Sequence, residues 1–514
     1  MSPVRSTVTI IGNRLEPGHH EVRDFLTRIA QPHRWLEAGS ADADAAMARL
    51  GNSPVELPIV VEGDRVLSAV TPRALAEAWN MSQPPSRREY DIAIVGAGPA
   101  GLSAAVYAAS DGLTTILLER DIPGGQASHT SAIENFFGFP DGIGGAELAR
   151  LAGRQAEGFG AELTLLRGAS GNRRAPDGRF VIEVEGGYEM SAPVVIAATG
   201  MDWRRLTVEG LDELLGRGVY YGAGRSEAAQ CAGEDAIVVG AGNSAGQAVL
   251  HLARAGARVT MIVRGDRLGR TMSEYLVRRI EESRLIEVRF ATEVHAVQAD
   301  AGRLASVTIA GADGVESRLP ARTLFICIGG VPRTSWAAGS GVRTDTAGYV
   351  LTGPDLLDRG ERPAGWPLAR DPLVLETSVP GFFAAGDVRH GSTKRVAGAV
   401  GDGAMAIALA HHRLEELTAA VASSDHEQVA RTRSMQRRRG RSTLASGVKP
   451  PLGDGDDRAS TRAIDASEPA LPGGDVTVDE MSDASFPASD SPSRWTWEIP
   501  ANAADADVAK HRHR

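Results

Sequence analysis

Between Tyr90 and about Leu417, short apolar runs alternate with longer segments rich in alanine and other small residues. The runs Ile92–Val95 and Thr115–Leu118 are typical of strands that are buried on both faces, and the segments between such runs have the length of helices. Strands and helices that alternate in this way form parallel sheets covered by helices. The pattern therefore predicts an α/β fold for this part of the chain.

The N-terminal residues show a separate and shorter pattern. Its predicted elements are two strands and two helices, at Val8–Ile11, Leu57–Val61, His20–Ala30 and Thr71–Trp79. The polar, proline-rich segment Met81–Arg88 follows and has the composition of a linker. We therefore predict a small α/β domain at residues 1–84, ahead of the larger α/β region.

The C-terminal segment, residues 418–514, is dominated by Arg, Ser, Asp, Gly and Pro. Such a composition buries too little apolar surface to offset the entropy of ordering the chain, so we predict a disordered tail. The basic run Arg431–Arg441 and the acidic Asp454–Asp457 are interpreted as a solvated, self-neutralising segment, with binding to nucleic acid or to an acidic surface as the alternative. Aromatic residues within Ser485–Asp490 and Trp495–Ile499 indicate a candidate linear motif for a partner.

Two segments of the α/β region repeat one arrangement of strand, glycine turn and small-residue helix. They are Tyr90–Val106, with the sequence YDIAIVGAGPAGLSAAV, and Asp235–Leu250, with the sequence DAIVVGAGNSAGQAVL. A strand that leads through such a turn into a helix is the arrangement that binds the pyrophosphate of a dinucleotide. The two copies therefore predict two dinucleotide-binding domains.

The first turn carries three glycines directly after its strand. In a dinucleotide-binding turn, Gly96 makes the tight turn, Gly98 lets the backbone approach the pyrophosphate, and Gly101 lets the helix pack on the strand. The next strand runs into Glu119, about twenty residues further on, where a carboxylate accepts hydrogen bonds from an adenosine ribose. A glycine-rich turn in another α/β fold is the alternative interpretation.

The second turn has alanine at its third position, which still permits close packing of helix and strand. The strand that follows it runs into Arg264 instead of a carboxylate. An arginine there accommodates a 2′-phosphate, which favours NADPH over NADH. Arg267 and Arg270 lie close behind, either as further contacts or as part of a solvated loop. The candidate residues of the turn itself are Gly240, Gly242, Ser244 and Ala245.

Composition narrows the class of protein. The chain has 514 residues and a formal net charge of −10, which argues against a nucleic-acid-binding surface. Two cysteines, Cys231 and Cys327, are too few for a disulfide-stapled secreted fold or for a zinc site with several cysteine ligands, and we predict no metal site. We see no signal peptide and no run of the ~20 apolar residues that a membrane helix needs, so we expect a cytoplasmic protein.

Three further motifs accompany the first turn, at Pro123–Gln126, Ile133–Pro140 and Thr377–Leu409. With it they resemble, in content and order, the low-molecular-weight thioredoxin reductase family, over residues 90–417. Members of that family are flavoproteins that pass electrons from NADPH through FAD to a disulfide. The resemblance implies two Rossmann-like domains, one for FAD at 88–205 and 328–417 and one for NADPH at 206–327, and a homodimer.

The resemblance also implies which residues contact FAD. Asp387 is placed to accept hydrogen bonds from ribityl hydroxyls, and the helix N-terminus near Val396 to favour the charge of the reduced flavin. Arg395 stands where the family usually has a glutamine beside the isoalloxazine ring, so this contact departs from the family pattern. The implied FAD contacts are Gly96, Gly98, Gly101, Glu119, Gly125, Gln126, Asn135, Asp387, Arg395, Val396 and Ala397.

The redox-active C-x-x-C of the family is absent from its expected place. It should follow the lead Gly218–Tyr221, but the two cysteine positions are occupied by Gly222 and Arg225. Cys231 has no second thiol near it in sequence, and Cys327 lies in an apolar run, where a cysteine is usually inert packing. Because a dithiol relay needs one sulfur to attack and one to resolve, we expect no catalytic dithiol here.

The N-terminal block resembles a thioredoxin/glutaredoxin-like fold, in which a proline such as Pro58, ahead of the third strand, is commonly cis. The turn that would carry its dithiol, Asn13–His20, contains no cysteine. We therefore interpret residues 1–84 as a docking or structural module. The arrangement as a whole resembles fusions of such a module to a thioredoxin reductase-like flavoprotein.

Three functions are compatible with the sequence. The first is an NADPH-dependent FAD oxidoreductase that passes electrons to an external acceptor, such as a thioredoxin-type disulfide, a quinone, oxygen or a one-electron carrier. The second is a ferredoxin- or flavodoxin-NADP⁺ reductase. The third is a flavin-binding module without catalysis, which reports redox state to a partner through the tail and the N-terminal domain.

Overall fold

The computed structural model describes residues 6–14, 16–49, 56–130, 132–222, 228, 231–269 and 272–443. The chain divides into two units, Met1–Ser434 and Met435–Arg514, and the sheets and the candidate site belong to the first. Several positions that the sequence singled out lie outside the described residues. They are Arg225, Arg270, the acidic segment 454–457 and the aromatic segments 485–490 and 495–499.

The N-terminal domain is built on one mixed sheet. Its elements are β1 (Val8–Gly12), α1 (Pro17–Arg28), β2 (His33–Glu37), α2 (Ala41–Arg49), β3 (Ile59–Glu62), β4 (Arg65–Leu67) and α3 (Pro72–Ala78). The strand order is β2-β1-β3-β4, with β1 parallel to β2 and antiparallel to β3. The peptide bond between Leu57 and Pro58, directly ahead of β3, is cis.

The first large sheet is parallel and has the strand order β22-β11-β5-β6-β7. Its elements are β5 (Ile92–Val95), α4 (Pro99–Ser110), β6 (Thr115–Glu119), α5 (Gly145–Gly158), β7 (Glu162–Leu165), β11 (Val194–Ala197) and β22 (Phe382–Ala384). A smaller antiparallel sheet accompanies it, formed by β8 (Ala169–Arg174), β9 (Phe180–Val184) and β10 (Tyr188–Ala192).

The second large sheet repeats this plan with the order β13-β20-β14-β15-β16, again parallel. Its elements are β13 (Val219–Tyr221), β14 (Asp235–Val239), α6 (Asn243–Arg254), β15 (Arg258–Ile262), α7 (Glu274–Glu281), β16 (Ile286–Arg289) and β20 (Thr323–Ile326). The strands β17 (Glu293–Asp300), β18 (Arg303–Ala310) and β19 (Glu316–Pro320) form an antiparallel sheet beside it.

Where the chain passes from the first large sheet to the second and back, β12 (Met201–Trp203) pairs antiparallel with β21 (Gly330–Pro332). Short 3₁₀ helices complete the described structure, at Gly125–His129, Asp212–Leu214, Ser335–Ser340, Gly353–Leu356 and Gly386–Val388. The central strands β5 and β14 are apolar because helices and further sheets cover both of their faces. The predicted α/β fold with two Rossmann-like domains is confirmed.

The last helix corrects the predicted start of the disordered tail. Helix α8 spans Val396–Thr443, so residues 418–443 are helical, whereas the composition had predicted disorder from residue 418. The first turns of α8 are anchored in the core through Ala406, Ile407 and Ala410. The segment beyond them is rich in Ala, Glu, Gln and Arg, which propagate a helix once it has been nucleated.

The N-terminal domain packs directly against the first large sheet domain. Ile122, which lies in the loop after β6, is fully buried in the same apolar cluster as Phe25 and Leu26 of α1. Leu166, directly after β7, packs against this cluster as well. The two domains therefore share a continuous hydrophobic core, and α1 is held at a fixed place on the second domain.

A buried carboxylate ties α8 to the segment that precedes β22. Glu376 is fully buried and accepts hydrogen bonds from Arg370 Nη1 (2.6 Å) and from the backbone N–H groups of Leu373 and Gly381 (both 3.0 Å). Arg370 also pairs with Glu416 of α8. These pairings raise the pKa of the arginine although its burial acts in the opposite direction.

We expect the substitution Arg370→Met to lower the free energy of unfolding by about 3 kcal/mol, because it leaves the buried Glu376 carboxylate without its cation. Urea denaturation measures the effect. Arg14→Met is the matched control, since Arg14 pairs with Glu37 at the surface and such pairs contribute about 0–1 kcal/mol. Equal losses in the two variants would contradict the role given to Arg370.

Candidate functional site

A cavity of about 460 Å³ opens at the carboxyl ends of the strands of the first large sheet. Its walls include Gly98 after β5, Glu119 at the end of β6, Thr199 after β11 and Asp387 after β22. The carboxyl edge of a parallel sheet is where doubly wound α/β proteins bind their ligands. Four segments that are distant in sequence therefore meet at one site.

The three glycines of the first turn have different surroundings. Gly96 has φ +105°, and a Cβ there would overlap the backbone carbonyl of Ala198, which follows the neighbouring strand β11. A Cβ at Gly101 would overlap the carbonyl oxygen of Gly96. At Gly98, by contrast, a Cβ would meet no atom within 4 Å, because this residue faces the cavity. Two glycines thus permit close packing, and the third leaves space for a ligand.

Helix α4 directs its N-terminus at the cavity. Gly98 is the N-cap residue and provides no side-chain cap, and Pro99 occupies the first turn. The positive end of the helix dipole and the N–H groups of this turn are therefore directed at the cavity, an environment that favours an anionic phosphate. Helix α6 starts in the same way after Gly242.

Glu119 is a buried acceptor in the cavity wall, with 7% of its surface exposed. Its Oε2 accepts from the N–H of Ala97 (2.7 Å), and its Oε1 accepts from the N–H of Asp121 (2.9 Å). Burial raises the pKa of the carboxyl group, and the two N–H donors act against that rise. The carboxylate retains lone pairs toward the cavity, where hydroxyl donors of a ribose would satisfy them.

Asp387 also lines the cavity and lies in the 3₁₀ helix Gly386–Val388. Burial raises the pKa of this carboxyl group, and Lys394 opposes the rise. Lys394 Nζ also donates to the backbone carbonyl of Asp387 (2.7 Å) and so fixes the loop. Arg395 and Val396, at the start of α8, line the cavity next to this loop.

The structure gathers most, but not all, of the candidate residues at the cavity. Those that line it are Gly98, Glu119, Gly125, Gln126, Asn135, Asp387, Arg395, Val396 and, from the second turn, Ser244. Those that do not line it are Gly96, Gly101, Ala397, Gly240, Gly242, Ala245 and Arg264. Gly96 and Gly101 lie behind the wall, where they permit the turn to close.

The second turn has the same steric plan as the first. Gly240 has φ +140°, and a Cβ there would overlap the carbonyl of Cys327, which follows the neighbouring strand β20. A Cβ at Gly242 would meet no atom within 4 Å, and Ala245 is fully buried. Arg264 is exposed just beyond the carboxyl end of β15, the strand next to β14. This edge is where the second dinucleotide is predicted.

No thiol lines the cavity within the described part of the chain. Gly222, at the first cysteine position of the family motif, has φ +75°, and a Cβ there would lie 3.2 Å from the Trp203 ring. Cys231 is fully buried, with its Sγ 3.5 Å from Thr323 Oγ1. Burial raises the pKa of Cys327 to about 12, so that thiol is protonated and unreactive.

Sequence reasoning missed several residues of the cavity wall, namely Arg28, His129, Trp203, Arg333 and Lys394. Burial lowers the pKa of His129 to about 3, so its imidazole is neutral, and its ring centre lies 6.0 Å from that of Trp203. His129 is only three residues beyond Gln126, so its nearness to the motif Pro123–Gln126 was a usable signal in the sequence. Arg28 gave no such signal, because it belongs to another domain.

The fold and the cavity define a class of α/β protein in which each of two Rossmann-like domains carries a glycine turn of the kind that binds a dinucleotide. The model of the pyridine nucleotide-disulphide oxidoreductase family matches residues 90–403. The chain belongs to this family.

Similar proteins within this family include thioredoxin reductases. Thioredoxin reductase of Bacillus subtilis is 34% identical over 331 residues, which are 64% of this chain and 96% of that protein. The Listeria innocua thioredoxin reductase is 34% identical over 65% of this chain and 96% of its own length. The T. acidophilum thioredoxin reductase structure superposes with a TM-score of 0.56 at 29% identity, covering 65% of this chain and all of that one. The thioredoxin reductase family uses FAD and NADPH.

The residues present fit FAD at the first cavity. The open space at Gly98, the uncapped start of α4 and the buried acceptors Glu119 and Asp387 suit a pyrophosphate between two hydroxyl-bearing groups. Among the described residues, no helix combines the length and the apolar composition needed to cross a bilayer.

Gly98 and Gly242, at which an added Cβ would meet no atom within 4 Å, give a matched pair of variants. Gly98→Ala places a methyl group in the first cavity, so we expect FAD affinity to fall by about tenfold or more. The apoprotein should keep its stability to within about 1 kcal/mol, because φ is −70° and the Cβ meets no atom.

Gly242→Ala should leave FAD binding unchanged and weaken NADPH instead. Fluorescence titration of each apoprotein with FAD, and of each FAD-loaded protein with NADPH, separates the two effects. A Gly98→Ala protein that binds FAD as tightly as the parent would contradict the assignment of the first cavity.

Proposed function

We propose that the protein is an NADPH-dependent FAD oxidoreductase that delivers electrons to an external acceptor without a dithiol of its own. The observation that carries the proposal is Gly222: the wall of the cavity has a glycine where a reducing thiol would be needed. Both cysteines are buried, and neither lines the cavity. The acceptor therefore meets the flavin site directly.

In this proposal different residues of the cavity bind different parts of FAD. Gly98 and the start of α4 bind the pyrophosphate, Glu119 accepts from the adenosine ribose, and Asp387 accepts from the ribityl chain. Gly125, Gln126 and Asn135 complete the wall on one side, and Arg395 and Val396 complete it on the other. When bound, FAD supplies the chemistry that accepts hydride from NADPH and passes electrons onward.

The start of α8 and two aromatic side chains surround the place proposed for the flavin ring. The N-terminus of α8 begins at Val396 and contributes the positive end of its dipole, which stabilises negative charge on a nearby ring. Trp203 lies beside Gly222 and the neutral His129 lies beside Trp203, so these two rings line the side of the cavity next to Gly222. This side is where we place the approach of the acceptor.

Domain roles follow from the same proposal. We assign FAD to residues 88–205 and 328–417 and NADPH to residues 206–327, where Gly240, Gly242, Ser244, Ala245 and Arg264 bind it. The strand order β2-β1-β3-β4 supports a thioredoxin-like fold for residues 1–84. The homodimer and the cytoplasmic location stay predictions.

Anaerobic titration with NADPH tests the proposal. We expect the yellow protein to bleach rapidly and in proportion to NADPH, because hydride reaches the flavin. Binding without bleaching would instead favour a redox-reporting module without catalysis. Protein that is purified colourless and does not take up added FAD would refute the proposal.

An acceptor screen with the reduced protein then identifies the electron acceptor. Turnover with a thioredoxin-type disulfide, a quinone or oxygen supports direct delivery, whereas preferred turnover with ferredoxin or flavodoxin identifies the alternative NADP⁺ reductase function. The double variant Cys231→Ser, Cys327→Ser is the control, and its turnover should equal that of the parent.

Arg264→Ala tests the choice of nucleotide. Loss of a charge-assisted contact to the 2′-phosphate should weaken NADPH by about tenfold or more and leave NADH nearly unchanged. Arg258→Ala is the matched control, because Arg258 starts the same strand at its opposite end and pairs with Asp235. Equal weakening of NADPH and NADH by Arg264→Ala would contradict the assignment.

A further inference from the structure

The N-terminal domain contributes a side chain to the wall of the FAD cavity. Arg28, the last residue of α1, lines this cavity, and only 12% of its side chain is exposed. The family match begins at residue 90, so Arg28 lies in a part of the chain that this match does not include.

Arg28 binds two segments of the FAD domain at once. Its Nη2 donates to Asp121 Oδ2 (2.8 Å), and its Nε donates to Ser128 Oγ (3.1 Å). Its Nη1 lies 3.6 Å from Asp24, one turn earlier in α1. The carboxylates of Asp121 and Asp24 raise the pKa of the guanidinium although burial acts in the opposite direction, so the side chain stays charged.

Each of the two segments carries predicted FAD contacts. The N–H of Asp121 donates to Glu119, the predicted ribose acceptor. Ser128 Oγ donates to the carbonyl of Gly125 (2.7 Å) and so fixes the turn that carries Gly125 and Gln126. Gly125 in turn lies against Gly98, since a Cβ on it would be 3.5 Å from the Gly98 Cα.

The position of Arg28 does not depend on these polar contacts alone. Ile122, one residue beyond Asp121, is buried in the apolar cluster of the N-terminal domain together with Phe25 and Leu26 of α1. The guanidinium is therefore presented from a packed interface. Pre-organised groups of this kind lose little conformational entropy when a ligand binds.

The charge balance of the cavity gives Arg28 a second effect. Among the described residues of the wall, five are basic and four are acidic, a difference of one positive charge. The basic residues are Arg28, Arg120, Arg333, Lys394 and Arg395, and the acidic residues are Glu119, Asp121, Asp202 and Asp387. Without Arg28 the wall has no net charge to set against the two negative charges of a dinucleotide pyrophosphate.

We propose that Arg28 is a positioning residue for FAD, so that the N-terminal domain completes the flavin site instead of acting only as a docking module. The inference rests on the FAD binding of the proposed function. Arg28 ties the ribose-binding loop at Asp121 to the turn at Ser128, and it adds positive charge beside an anionic cofactor.

The test measures how fast the full-length holoenzyme releases FAD, followed by the rise in flavin fluorescence after dilution. We expect Arg28→Met to release FAD about tenfold faster, the effect of one lost charge-assisted interaction. Arg28→Lys should release FAD at an intermediate rate. Lysine keeps the positive charge but lacks the planar guanidinium that donates to Asp121 and Ser128 at the same time. Arg14→Met, on the same domain but paired with Glu37, is the control and should match the parent.

The thermal midpoint of each apoprotein, and its increase on adding FAD, separates binding from folding. A purely structural role would lower the apoprotein midpoint and leave both the FAD-induced increase and the release rate of Arg28→Met unchanged, which would overturn the proposal. Ser128→Ala removes the hydrogen bond from Arg28 Nε together with the one to the Gly125 carbonyl and should also speed FAD release, so it serves if Arg28→Met does not fold. A parent protein that is colourless and takes up no added FAD would refute the proposed function itself, whereas equal release from a yellow parent and from these variants refutes only this inference.

Discussion

The architecture depends on the close approach of a backbone carbonyl to a glycine Cα at the carboxyl ends of β5 and β14. The first glycine of each turn, Gly96 or Gly240, lies against the carbonyl of the residue that follows the neighbouring strand, Ala198 or Cys327. A side chain at either glycine would push the two strands apart at the point where the helix begins. Only with this contact in place do α4 and α6 present their N-termini to a phosphate.

Both cysteines belong to the packing of the second large sheet domain. Cys327 supplies the carbonyl that packs on Gly240, and its thiol is buried, so this residue serves the second turn through its backbone. Cys231 belongs to the apolar cluster of the same domain. The sulfur atoms are therefore part of the packing, and the wall position at Gly222 holds none. Among the described residues, no thiol therefore reaches the cavity.

The N-terminal domain contributes to the cavity wall although the dinucleotide turns lie outside it. Its own core includes Ile122 from the neighbouring domain, and its helix α1 ends at Arg28 in the cavity wall. A domain that lacks the cysteines of a redox module can thus be retained for its packing and its charge. In the proposed flavin site the cavity wall is shared by two domains, although both dinucleotide turns belong to the larger α/β region.

The sequence by itself determined the two dinucleotide turns, the parallel sheets and the absence of a dithiol at 222 and 225, because these depend on residue type and local spacing. It did not reveal β2, whose side chains are mostly not buried and lack a clear alternation, nor the extension of α8, which follows from helix propagation out of the core. Only the tertiary structure decided that Ser244 lines the first cavity while Gly242 does not, and that Arg28 reaches it. Those placements arise from how separate domains pack against one another, and short-range patterns along a chain carry no record of such contacts.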